Sequence, residues 1–284
     1  MKMAEQKKTK TKYHNQKSHD DTLRIVLNVL GNARDMERAS KRDYKIVLRE
    51  LIYLYEENYN SLYKDKIVNK RALDVFLKSS FYGGNQLDEQ LDLLKEALVA
   101  AQTKNMILGL SYAYTHTIAE TQKSIKPDLQ KVAELSKPEI VSQELERSWC
   151  ADGKTVLDRL NININTSFEN AQTLIYQGLE NGWSIDKMTR MLREVTGIAQ
   201  YKASRLIRTE SMAVWGKATK NIYLENGIEY VEIVGDAECG GICLDYVGGA
   251  IPLREAEIGD ELPPYHPNCA CSFCAYDTFE NTEE

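Results

Sequence analysis

Five of the six cysteines and one of the four histidines fall between residues 239 and 274. They read Cys239-Gly-Gly-Ile-Cys243, then His266-Pro-Asn-Cys269-Ala-Cys271-Ser-Phe-Cys274. Two groups of soft donors about two dozen residues apart have the layout of a tetrahedral zinc site, in which thiolates and imidazole clamp two loops together. The candidate ligands are Cys239, Cys243, His266, Cys269 and Cys271. The first pair is Cys-x-x-x-Cys, one residue longer than the usual spacing. Disulfides are the competing reading. The chain opens Met-Lys-Met-Ala-Glu-Gln-Lys-Lys, without the apolar run of a signal peptide, and no stretch approaches the ~20 apolar residues of a membrane span. Synthesis in the cytosol keeps thiols reduced and favours metal. Free thiols, or a disulfide formed later outside the cell, are the alternatives. Cys150, beside Trp149, reads as a small buried hydrophobe.

The rest of the chain points to helices. Leu23, Val26, Leu27 and Leu30 recur at steps of three and four, as do Val47, Leu48, Leu51 and Leu54, and Leu87, Leu91, Leu94 and Leu98. Gly83-Gly84-Asn85, Lys126-Pro127 and Lys137-Pro138 break this run into several helices. Later, Asn170–Gly182 reads as a helix with Ala171, Leu174, Ile175 and Leu179 on one face, and Gly178 and Gly182 near its end. Ser184 suits an N-cap, with Asp186 in the first turn of a helix expected to stop near Gly197. A longer helix from about Ala199 to Glu225 should end at Asn226-Gly227. Beyond it the period shortens at Ile228, Tyr230, Ile233 and Val234, a strand entering the cysteine module. Gly248-Gly249 should turn the chain, Ala250-Ile251-Pro252-Leu253 should return, and Pro263-Pro264-Tyr265-His266-Pro267 should deliver the second knuckle in extended form.

The expected fold class is mainly α with a small C-terminal α+β zinc-knuckle-like module. The divisions are a disordered basic arm at 1–19, a helical N-terminal region at 20–146, a second helical part at 147–227, the small β module at 228–276 and an acidic tail at 277–284. The arm crowds Lys2, Lys7, Lys8, Lys10, Lys12 and Lys17 against Glu5 alone. It reads as a solubilising tail or, through Lys7, Lys8, Lys10 and Lys12, as a contact to DNA. A net charge of -6 argues against a general DNA-coating protein. Sixteen tyrosines against five phenylalanines suit half-buried positions and wet contacts in an assembly.

One residue on the long helix breaks its pattern. Ala203, Leu206, Ile207, Val214 and Ala218 form an apolar stripe, and Glu210 falls in the middle of it while Arg208 points away. A carboxylate on a packing face needs donors, because burial without them costs several kcal/mol. Glu210 is therefore expected to accept hydrogen bonds from backbone amides or an arginine of a packed neighbour. The alternative is a catalytic carboxylate, but no second acid, base or nucleophile stands at a usable spacing.

The ordered set Arg208-Thr209-Glu210, Asp236, Cys239 and Cys243, Gly248-Gly249, and His266-Pro267-Asn268-Cys269-Ala270-Cys271 resembles the phage Mu F-like minor head proteins, the phage head morphogenesis family. The resemblance covers about residues 147–276. It departs from the family in the long first cysteine pair, in Ala270 where arginine is usual, and in the additional Cys274. The resemblance implies a virion component present in few copies, acting in head morphogenesis and genome packaging or delivery. Its implied partners are the portal protein and the major capsid or scaffolding protein, with packaged double-stranded DNA as a further contact and no membrane. It implies a location in the capsid interior or at the portal vertex after synthesis in the bacterial cytoplasm. Family members sometimes carry toxin or enzyme domains after the module. With eight residues beyond Tyr276, none is expected here.

The rival classes fit less well. A zinc nucleobase deaminase needs a His-x-Glu step before its Pro-Cys-x-x-Cys, whereas the only late histidine here, His266, follows the first cysteine pair and no glutamate is placed to shuttle protons. A zinc hydrolase needs an open coordination position and a nearby base, and five or six candidate donors point to saturation. The expectation is a structural protein with no enzymatic activity, and the alternative is a nucleic-acid-binding protein that uses the basic arm.

Overall fold

The computed structural model describes residues 2–64, 67–81, 85–125, 128–235, 241–247 and 249–276, with only the backbone described for 2–17, 80–81, 241, 242 and 244. Seven helices and two small sheets make up these residues: α1 (Lys2–Leu62), β1 (Tyr63–Lys64), β2 (Ile67–Val68), α2 (Lys70–Phe81), α3 (Gln86–Ile125), α4 (Leu129–Leu135), α5 (Pro138–Glu146), α6 (Val156–Glu180), α7 (Ile185–Glu225), β3 (Tyr230–Val234), β4 (Ile251–Pro252) and β5 (Ser272–Ala275). The fold is thus mainly α with a small C-terminal α+β module. Asp236, Cys239, Gly83, Gly84, Pro127, Gly248, the tail 277–284 and the side chains of Lys7, Lys8, Lys10 and Lys12 lie outside the described residues.

Several sequence expectations change in detail. Helix α1 begins at Lys2, so the backbone is helical where a disordered arm was expected; Lys, Gln, Glu and Ala are good helix formers. The ladder β1–β2, pairing Tyr63 with Val68 and Lys64 with Ile67, has no period long enough to announce it. Helix α6 starts fourteen residues before Asn170, at Val156, because burial of Leu160, Ile164 and Phe168 outweighs the weak helix propensity of its asparagines. Helix α7 runs unbroken through Gly197, since one interior glycine costs only ~1 kcal/mol and Leu192 and Ala199 on either side are buried.

The punctuation otherwise behaves as its chemistry requires. Gly182 (φ 62°) takes the left-handed conformation just past α6, and Gly227 (φ 74°) does so past α7. There the Ile228 N–H donates to Tyr223 O at 3.0 Å, closing the helix end. Ser184 Oγ accepts from the Lys187 N–H at 3.3 Å as a cap of α7.

The chain forms two compact units that cut across the division expected at residue 146. One contains 1–35, 107–156 and 205–284; the other contains 36–106 and 157–204. In the second unit, Tyr55 and Tyr63 donate hydroxyl hydrogen bonds to Trp183 O (2.6 Å) and Leu179 O (2.5 Å). In the first unit, α7 is buried on every face from Thr209 to Thr219. A helix buried all round is an axis on which other pieces are hung. Its partners include the three-stranded antiparallel sheet β4–β3–β5, in which β3 is central. Phe273 of β5 meets Trp215 edge-on with ring centroids 5.0 Å apart, and Gly216 leaves room for Ile258 and the Pro263 carbonyl.

Candidate metal centre

The second half of α7 holds the loops of the module by polar contacts. The Asn268 N–H donates to Thr209 Oγ1 at 3.0 Å. Asn268 is the one non-glycine residue with positive φ (63°) among the described residues, and it sits inside His266-Pro-Asn-Cys269. The threonine thus satisfies an amide at the sharpest point of the second knuckle. One residue on, buried Glu210 accepts from Trp149 Nε1 at 2.9 Å. This donor is an indole N–H, a partner beyond the backbone amide or arginine expected, and Glu210 has further partners besides it. Arg208 is exposed.

Two turns later, buried Lys217 donates to Glu144 O and Arg147 O, both at 2.6 Å. These are carbonyls at the end of α5, where a helix has no internal donors. Burial pulls the Lys217 ammonium below the usual lysine range, with Glu144 and Glu210 opposing and Arg147 adding to that shift. Thr209, Glu210 and Lys217 therefore fix the knuckle and the 144–150 segment to one rod. Trp149 in turn lies against Gly259 (φ 95°), where a Cβ would meet the Trp149 carbonyl at 2.7 Å. Cys150 in this segment is half-buried rather than fully buried, because it sits in a turn and not on a packed helix face.

Cys243 stands on a short 3₁₀ helix (Gly241–Tyr246), and Cys269 and Cys271 follow the Asn268 turn. All three are buried, with Tyr265 packed against them and stacked on Tyr246 at 4.3 Å between ring centroids. Their sulfurs lie within 4.8 Å of one another, and Cys243 Sγ is 3.8 Å from Cys269 Sγ. With metal–sulfur bonds of about 2.3 Å, a tetrahedron puts neighbouring sulfurs about 3.8 Å apart, so the trio fits one ion.

His266 Nε2 lies 3.2 Å from Cys243 Sγ, near the corresponding nitrogen–sulfur edge of about 3.6 Å. Its Nδ1–H donates to Pro267 O at 2.9 Å, which leaves the Nε2 lone pair for the Cys243 sulfur, while His266 stands outside the group of three sulfurs that lie within 4.8 Å of one another. Burial first, then the Cys271 and Cys269 thiols, push the Cys243 thiol well above its ordinary range. A bound cation reverses that preference and deprotonates coordinating thiols. The cysteine trio could hold a metal ion. No disulfide joins any of the five described cysteines.

Cys274 is not part of this group, despite the Cys-x-x-Cys spacing. It stands on β5, where side chains alternate, so three residues from Cys271 put it on the other face. There Cys274 Sγ donates to Glu232 Oε1 at 3.6 Å, and His19 Nε2 lies 3.0 Å from the same oxygen. Nothing in the sequence near His19 or Glu232 signals this grouping; it follows from the pairing of β3 with β5. No family model, curated protein or solved structure matches the chain. No described helix is long and apolar enough to cross a membrane.

Proposed function

We propose that the chain is a phage minor head protein that docks on the portal or the inner capsid face and acts in head morphogenesis and genome packaging or delivery. The supporting observation is the coupling of the elements that carry the Mu F-like resemblance. Thr209 receives the Asn268 amide of the cysteine knuckle and Glu210 receives the Trp149 indole, so two residues of the triplet tie the knuckle and the Trp149 segment to α7. Zinc suits the Cys243, Cys269, Cys271 and His266 donors, being tetrahedral and at home with sulfur and imidazole ligands. In this role the metal cross-links loops too small to bury a core of their own, and no reaction passes through it.

The docking surface belongs on the helices, which expose Leu23 and Leu27 of α1 and Leu108 and Tyr112 of α3. Large apolar and aromatic side chains in water are the usual content of an interface core. Co-expression with the portal protein of the same genome, followed by pull-down and size exclusion, tests the reading. A complex should form and be weakened by Leu27→Asp and Leu108→Asp with the fold intact. A well-folded protein that binds neither portal nor capsid protein refutes it.

A further inference from the structure

The structure assigns a second metal site, separate from the cysteine trio, to His19, Glu232 and Cys274, with a divalent zinc-like cation as its ligand. Glu232 and Cys274 are direct cross-strand partners in the antiparallel β3–β5 pair, so their side chains leave the same face of the sheet. His19 of α1 reaches them from 213 residues away in sequence.

The three donor atoms all lie within 4.8 Å of one another. Bonds of about 2.0 Å to nitrogen and oxygen and 2.3 Å to sulfur give tetrahedral edges of about 3.3 Å for nitrogen–oxygen and 3.5 Å for sulfur–oxygen. The separations in the fold are 3.0 Å and 3.6 Å. An ion at the centre therefore needs shifts of only a few tenths of an ångström, within the range of a χ adjustment.

The surroundings suit a cation. Cys274 is fully buried, and the His19 and Glu232 side chains are 35% and 16% exposed. The site is thus backed by the sheet and open on one side, with one tetrahedral position for solvent. One imidazole, one carboxylate and one thiol are the mixed donor set of zinc or cobalt; magnesium and calcium take oxygen. On binding, the Cys274 thiol gives its proton to solvent and the cation takes the proton's place on the sulfur, with no change of oxidation state. The consequence is a cross-link between the first helix and the C-terminal sheet, in which Cys274 takes part despite standing three residues from Cys271 of the other group.

The test is the zinc content of the reduced full-length chain after dialysis against zinc and gel filtration, for wild type, His19→Ala and Glu232→Gln. Each variant should hold one zinc fewer than wild type, with unchanged far-UV circular dichroism and elution. Cys243→Ser should instead keep the zinc that His19→Ala loses. Cobalt loading adds a spectroscopic check: the spectrum lost in His19→Ala should be that of a tetrahedral ion with a single thiolate. Equal zinc content in wild type and both variants overturns the assignment. The isosteric Glu232→Gln carries the comparison if His19→Ala alters the fold.

Discussion

Replacing Glu210 with alanine tests whether this carboxylate holds the molecule together. The side chain is 3% exposed and accepts the Trp149 Nε1–H at 2.9 Å. A hydrogen bond to a charged group contributes ~1.5–3 kcal/mol, and truncation strands the indole N–H. Loss of the buried side chain also leaves a void beside α7, and Lys217 loses one of the carboxylates that favour its charge. Glu210 has further partners besides, so the expected total is about 3–5 kcal/mol. Glu210→Gln keeps the shape and an acceptor oxygen and should cost about half of that. Trp149→Phe removes the donor but keeps a ring against Gly259. The assay is urea unfolding of the full chain followed by far-UV circular dichroism, arranged as a double-mutant cycle of Glu210→Ala with Trp149→Phe. A coupling of about 1.5–3 kcal/mol is expected. A Glu210→Ala protein as stable as wild type, or a coupling below about 0.5 kcal/mol, refutes the structural role and revives a catalytic carboxylate.

Three further outcomes follow from other parts of the fold. Cys243→Ser should lose the zinc held by the trio, and zinc-edge X-ray absorption on the His19→Ala protein should show at least three sulfur neighbours at about 2.3 Å. Gly259→Ala should destabilise by about 2 kcal/mol or more, since φ is 95° and the added Cβ would press on the Trp149 carbonyl; thermal melts would show it. At alkaline pH the buried Tyr114 should weaken the fold. Its phenol is pushed up to about 12, by burial foremost, with Asn221 opposing and Glu144 adding. Because the folded value lies above the unfolded one, this stability is complete below pH ~10 and is lost as pH rises through ~12, at about 1.4 kcal/mol per pH unit. Urea unfolding between pH 9 and 11 should give a shallower loss for Tyr114→Phe.

The sequence was informative wherever one residue's chemistry decides a local structure. Asn226-Gly227 ended α7 through a left-handed glycine, Ser184 capped it, and the apolar stripe around Glu210 correctly implied a buried carboxylate in need of a donor. It misled where tertiary packing outweighs propensity. Gly197 looks like a stop but lies in a helix flanked by buried Leu192 and Ala199. The cysteine spacing was half informative. Loop residues Cys269 and Cys271 can converge with Cys243, but Cys274 is on a strand, and alternation sends it to Glu232 and His19. The Trp149 indole could not be foreseen as one partner of Glu210, because it comes from a segment 61 residues away. The tyrosines divide in the same way. Tyr44, Tyr55 and Tyr114 are core residues, while Tyr53 and Tyr112 are exposed, and composition alone does not separate them.

The most direct test of the proposed role is the protein's place in the particle. Quantitative mass spectrometry of purified heads, with immunogold labelling in electron microscopy, would count and locate it. The account predicts a few copies per head, confined to the portal vertex or the inner shell. Absence from both mature and immature heads would contradict it.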